Sequence, residues 1–162
     1  MTVIHTARAA IPVPRTGFYI SSFHMKVESP VAYEKLYEGE CCMIEKVRLA
    51  EKFAQFSETW SPKIVGEVND AHVKLVKLKG EFVWHHHEQE DELFLVISGH
   101  LVMKLRERDI HLDAGEFVII PRGVEHLPVA EQEVQVLLLE PKTTLNTGSV
   151  INERTVVDLE WL

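Results

Sequence analysis

From Ile64 onward, short apolar runs alternate with turn residues. VKLVKLK (Val73–Lys79) stops at Gly80, ELFLVI (Glu92–Ile97) stops at Ser98-Gly99, and LVMKL (Leu101–Leu105) leads into a charged turn over Arg106–Asp109. EFVII (Glu116–Ile120) follows Asp113-Ala114-Gly115 and ends at Pro121-Arg122-Gly123, and VQVLLL (Val134–Leu139) stops at Pro141. Strands this short, with turn signals about every 8–12 residues, predict an all-β sandwich or barrel. No helix long enough for a βαβ crossover lies between them. Near-continuous apolar strands such as Leu93–Ile97 predict burial on both faces, as in a closed or double-layered sheet.

Ahead of this block, Ile44, Val47, Phe53 and Phe56 recur with partly helical spacing in a charged stretch, which predicts a short helical segment packed on the barrel. Further upstream, Ser29-Pro30 reads as an N-cap followed by a first-turn proline. Tyr33, Leu36 and Tyr37 then share one helical face, Gly39 can end the helix, and Phe18–Val27 reads as a strand. The expected organisation is an N-terminal arm over residues 1–42, a β-barrel domain over 43–141 and a C-terminal tail over 142–162. Nothing repeats and no segment is of low complexity.

Composition narrows the class. The chain has 162 residues, 46% hydrophobic and 26% charged, the size and mix of one globular domain with an appendage. Lys and Arg number 17 against 25 Asp and Glu, a formal net charge of −8 that argues against a nucleic-acid or anionic-membrane surface. No apolar run approaches the roughly 20 residues needed to span a bilayer. The opening MTVIHTARAAIPVPR has no long apolar stretch and no cleavage pattern, so no secretory signal is expected. Cys41 and Cys42 are adjacent and would form only a strained vicinal bridge, so they read as reduced thiols of a cytoplasmic protein. Initiation at Met43, just before the β-rich region, is an alternative reading of the N-terminus.

Nine histidines, three of them consecutive, add chemistry. The side-chain period of a strand is two, so His85 and His87 point to one face and His86 to the other. Two imidazoles at i and i+2 can reach one metal ion. Glu92, at the head of the next apolar run, offers a carboxylate, with Asp91 as the alternative because spacing alone does not decide. His126, just beyond Pro121-Arg122-Gly123, is a fourth candidate, although a lone histidine there is more often a hydrogen-bonded turn residue. Three imidazoles and a carboxylate suit Fe, Mn, Ni, Co or Zn, and a six-coordinate ion would keep two positions open. His86, Glu88 and Glu90 read as solvated groups, and His5, His24, His72, His100 and His111 receive no role. Trp84 should face away from His85, whereas Phe94 is a candidate pocket wall. Lys74, Lys77, Lys79, Arg106, Arg108 and Arg122 are available as phosphate partners, but solvated surface charge is the stronger reading.

These residues resemble the small single-domain cupins. Gly80, His85, His87, Glu92 and Gly99 follow the first motif of that family, with four residues rather than five between Gly80 and His85. Gly115, Pro121, Gly123 and His126 follow the second, with Ala130 in the place of its asparagine. The resemblance implies a double-stranded β-helix (a jelly-roll or cupin barrel) whose four ligands, His85, His87, Glu92 and His126, point inward around one divalent transition metal ion. It also implies a homodimer formed through an exposed sheet, with the arm as a candidate for strand exchange. Members of the family range over dioxygenases, decarboxylases, isomerases, lyases and non-catalytic modules. The expectation is therefore a small metalloenzyme, oxygenase-like or isomerase-like, acting on a small organic molecule in the barrel. The alternative is a non-catalytic, metal-dependent binding or sensing module.

Overall fold

The computed structural model describes residues 44–162; the expected arm, the strand over Phe18–Val27, the helix after Pro30 and both cysteines lie outside them. A five-residue helix, α1 (Leu49–Phe53), precedes eight strands. These are β1 (Lys63–Val68), β2 (Ala71–Glu81), β3 (Glu92–Ser98), β4 (His100–Leu105), β5 (Asp109–Asp113), β6 (Phe117–Ile120), β7 (His126–Pro141) and β8 (Glu160–Trp161).

The long strand β7 organises the two layers. Along one side it pairs antiparallel with β2, from Glu81↔Val129 to Ala71↔Pro141. On its other side it pairs first with β4, from Leu105↔His126 to Val102↔Val129, and then with β3, from Ser98↔Gln135 to Leu93↔Leu139. The change of partner falls at Glu131, Gln132 and Glu133, which are exposed where the strand turns from one layer to the other. β5 extends the β4 layer and β6 extends the β3 layer. The result is a double-stranded β-helix. Gly99, at φ +91°, makes the tight β3–β4 turn beneath this corner, where a side chain would press on the Glu133 carbonyl.

Alternation fills the interior. Val76 and Leu78 of β2, Phe94 and Val96 of β3, Leu101 and Met103 of β4, and Val134, Val136 and Leu138 of β7 form one buried cluster. On the outer side Phe53, Phe56, Val65 and Leu75 form a second, which α1 covers. Burying a side chain of this size contributes about 1.5–3 kcal/mol, so two phenylalanines suffice to hold a helix too short to persist alone.

Three sequence expectations are corrected. The helical segment is shorter than its apolar spacing implies: Ile44 is 99% exposed and Val47 46% exposed, and only Phe53 and Phe56 reach the sheet. Leu93–Ile97 is not buried equally on both faces, because Phe94 and Val96 enter the core while Leu93, Leu95 and Ile97 are half-buried outside. The charged turn over Arg106–Asp109 gives way at Asp109 to β5, a strand hidden by its polar exposed positions. Residues 142–162 fold back on the barrel: Thr144 and Thr147 are buried, and β8 adds parallel to β1. Among the described residues no helix is long and apolar enough to cross a membrane.

Candidate metal centre

Two ligand-bearing segments meet where β2 runs out and β7 begins. His85 and His126 form an isolated antiparallel bridge, with His85 N–H donating to the His126 carbonyl (3.1 Å) and His126 N–H to that of His85 (2.9 Å). Facing each other across this bridge, both imidazoles enter the barrel. His87 follows two residues on, and Glu92 enters as the first residue of β3. All four are buried, His126 completely, and one ligand atom from each lies within 4.8 Å of all the others. His86 turns outward to hydrogen-bond Glu88, as alternation requires. Asp91, the alternative acid, is exposed and accepts a hydrogen bond from the Arg122 backbone N–H (2.9 Å), so Glu92 is the carboxylate brought to the cluster.

The donor set has the polarity of a cation site. His85 Nδ1 lies 3.0 Å from the Val83 carbonyl, and His126 Nδ1 lies 3.0 Å from that of Val124. A carbonyl only accepts, so each Nδ1 carries a proton and donates it, which leaves Nε2 as the ring atom turned inward. His126 Nε2 then faces Glu92 Oε2 at 3.4 Å, and His87 Nε2 stands 3.3 Å from the same oxygen. These three atoms are buried without a hydrogen-bond partner among the described residues. Buried orphans of this kind are costly, and a positive charge between them removes the cost. The site therefore fits a divalent metal ion.

Charge in the interior agrees. Burial and the neighbouring His126 lower His85 to about 4, so its ring is neutral and ready to ligate near pH 7. Burial raises the Glu92 pKa, but the His126 and His87 edges that face it outweigh this and hold it at about 2. Behind the cluster lies a pair that the strand pattern did not flag: Lys74 and Glu140, each with its side chain 1% exposed, joined at 2.6 Å. Burial and the Glu92 charge push Glu140 up to about 8, although Lys74 opposes the shift. A Glu140 raised to about 8 is largely protonated near pH 7, which leaves Glu92 as the ionised carboxylate of this interior and the one that faces the three imidazoles. The pair could be read from register, since Lys74 shares a face with Val76 and Leu78, and Glu140 with Val136 and Leu138.

A cavity of about 30 Å³ adjoins His85 and Glu92. Trp60, Phe82, Phe94, Val76, Leu78 and Leu138 supply most of its wall, so Phe94 is where the sequence placed it. Asn146 also lines it, from the C-terminal segment that sequence reasoning left without a role. Two residues on, Gly148 lies so close to the His86 carbonyl that no side chain would fit there, and its φ of +55° suits glycine. Trp84 faces away from the cluster, with the Arg106 guanidinium 3.9 Å over its ring, and Arg106 also binds Glu125 (2.8 Å), beside His126.

Comparison with known proteins agrees with this geometry. Residues 72–140 match the family model described as "Cupin domain". A cupin-2 domain containing protein from Shewanella frigidimarina is 45% identical and superposes with a TM-score of 0.59, covering 59% of this chain and 94% of that one. The uncharacterized protein YdbB of Bacillus subtilis is 39% identical over 77 residues, 47% of this chain and 62% of that protein. Acireductone dioxygenase of Bacillus subtilis is 23% identical over 96 residues, 56% of this chain and 54% of that protein. The chain thus spans less than two thirds of either curated relative.

Proposed function

The chain belongs to the cupin family, and from that premise we propose that His85, His87, Glu92 and His126 hold one divalent transition metal ion and that the protein is a small metalloenzyme acting on a small organic molecule. The observation that carries the reading is the set of buried His87 Nε2, His126 Nε2 and Glu92 Oε2 atoms, without a hydrogen-bond partner among the described residues, converging with His85. When bound, the ion supplies a Lewis acid with open coordination positions. The Val83 and Val124 carbonyls fix the tautomers of His85 and His126, and the apolar wall excludes water from the reacting region.

Between the two enzymatic readings, the oxygenase-like one is favoured. Isomerisation calls for a side chain that moves a proton. Among the described residues the only titratable groups lining the cavity are His85 and Glu92, both assigned to the metal. Both amide atoms of Asn146 are engaged, Nδ2 with the Arg154 carbonyl and Oδ1 with the Val156 N–H. The similarity to a protein named as a dioxygenase points the same way. The same shortage of proton-moving groups also favours the second reading, a metal-dependent binding module without turnover.

Metal analysis of the untagged chain after exposure to Fe, Mn, Ni, Co and Zn, followed by oxygen uptake with phenolic, keto and thiol compounds, tests the proposal. Near-stoichiometric metal with substrate-dependent uptake supports the enzyme. Metal without uptake leaves the binding module, and no retained metal refutes both. We further propose a cytoplasmic homodimer with no nucleic-acid or membrane partner, in which residues 1–42 act as an arm. Phe117 (59% exposed) and Ile119 (53%) on the outer face of β6 support the pairing surface, and an unchanged monomer mass in solution would refute it.

A further inference from the structure

The cavity beside the candidate centre has a chemistry that narrows what can enter it. Its wall is aromatic and aliphatic, and none of its described lining residues is Lys or Arg; the Arg154 guanidinium, 5.8 Å from both the Trp60 and the Phe82 ring, is held by the Glu81 carbonyl (2.6 Å). Trp60 and Phe82 stack on each other, with centroids 4.7 Å apart and planes 18° from parallel. Lining groups that offer hydrogen bonds are either assigned to the metal or, in Asn146, already engaged by backbone.

Trp60 is held there against its backbone preference. Its φ is +62°, a left-handed conformation that costs a bulky residue on the order of 1–2 kcal/mol. Three contacts hold it: its N–H donates to the Lys77 carbonyl (2.9 Å), its indole Nε1–H to the Lys79 carbonyl (2.9 Å), and its ring lies on Phe82. A strained residue kept in place by several contacts marks a position chosen for its side chain. Here that side chain is a wall of the cavity.

Resting on the metal reading above, we propose that the cavity selects a compact molecule with one metal-seeking oxygen head and an apolar body laid along the Trp60–Phe82 stack. Among the described lining residues no free polar group remains to recognise anything but the head, and Arg154 is already engaged by the Glu81 carbonyl, so polyols and sugar phosphates are poor occupants. The volume of about 30 Å³ takes the head group. The ring stack supplies the affinity for the body by removing apolar surface from water.

Two probes with the same chelating head separate the parts of this inference: acetohydroxamate, with a methyl body, and benzohydroxamate, with a phenyl body. Each is titrated into the cobalt(II)-loaded full chain, followed by cobalt absorption and tryptophan fluorescence. Benzohydroxamate is expected to bind about tenfold tighter or better, from burial of its ring, and glucose 6-phosphate in large excess is expected to displace neither. In Trp60→Gly, where glycine accepts the positive φ, the preference should fall toward unity while the cobalt spectrum and acetohydroxamate affinity persist. Phe82→Leu serves as a second, milder variant and should give an intermediate preference. Equal affinities in the wild type, displacement by the sugar phosphate, or a preference untouched in both variants would overturn the inference alone. A chain that takes up no cobalt would overturn the metal reading and this inference with it.

Discussion

Two clusters of histidine and carboxylate lie on opposite faces of the same barrel, and only one is arranged as a metal centre. Outside, His100 Nδ1 lies 2.7 Å from Asp113 and its Nε2 lies 3.2 Å from His111 Nδ1, so both nitrogens of His100 are already engaged. That side chain is 47% exposed and Asp113 is 76% exposed, where water satisfies what remains. Inside, the Val83 and Val124 carbonyls engage Nδ1 of His85 and His126, and the inward atoms of His87, His126 and Glu92 have no hydrogen-bond partner among the described residues. Residue type does not distinguish the clusters. The difference lies in which atoms the backbone engages and in whether water can reach the rest.

The largest contrast between the clusters is expected in metal-linked stability. Metal at about a thousandfold over its Kd should stabilise the wild type by roughly 4 kcal/mol. His87→Ala should abolish that gain, whereas His100→Ala should keep it, as thermal melts with and without zinc will show. A gain that survives in His87→Ala would erase the distinction between inner and outer clusters. Next comes the pair behind the inner cluster. Lys74→Met leaves Glu140 buried without its ammonium, and denaturant unfolding should report a loss of about 3–5 kcal/mol. A loss under 1 kcal/mol would show that the interior charge inventory is wrong.

Gly148→Ala should act at a distance from the ligands themselves. The new methyl group would meet the His86 carbonyl and shift the loop that carries His85 and His87. A fall in zinc affinity of about 10–100-fold is expected, the range for residues that orient ligands, read by competition with a chromophoric chelator. The metal-free chain should also show pH effects that separate the buried groups from the exposed ones. His85 has its pKa lowered from 6.5 to about 4, so its contribution to stability is present above pH 6.5 and lost as pH falls through about 4. Glu140 runs the other way: raised from 4.5 to about 8, its contribution is present below pH 4.5 and lost as pH rises through about 8. His85→Asn should flatten the acid limb and Glu140→Gln the alkaline limb of a stability–pH curve.

Much of this was legible in the sequence. The HxH spacing placed His85 and His87 on one face, and the apolar runs located strands β2, β3, β4, β6 and the second half of β7. Local pattern failed where tertiary contacts decide. β5 carries only Ile110 and Leu112 as apolar residues, so its existence depends on pairing with β4. Ile44 and Val47 share the apolar spacing of Phe53 and Phe56 yet lie beyond the reach of the sheet. Choosing between Asp91 and Glu92 required the register of β3, which turns one carboxylate inward and leaves the other on the rim. Asn146 and Gly148 gave no sequence signal, because their roles arise only when the C-terminal segment folds back on the ligand loop.

Metal content is the most direct test of the distinction between the two clusters. The untagged full-length chain, His126→Ala and His111→Ala should each be exposed to Fe, Mn, Ni, Co and Zn, desalted and analysed for metal per chain. A buried centre at His85, His87, Glu92 and His126 requires close to one ion per chain in the wild type and in His111→Ala, and a small fraction of that in His126→Ala. A wild type that retains no metal, or a His126→Ala chain that retains as much as the wild type, would contradict it.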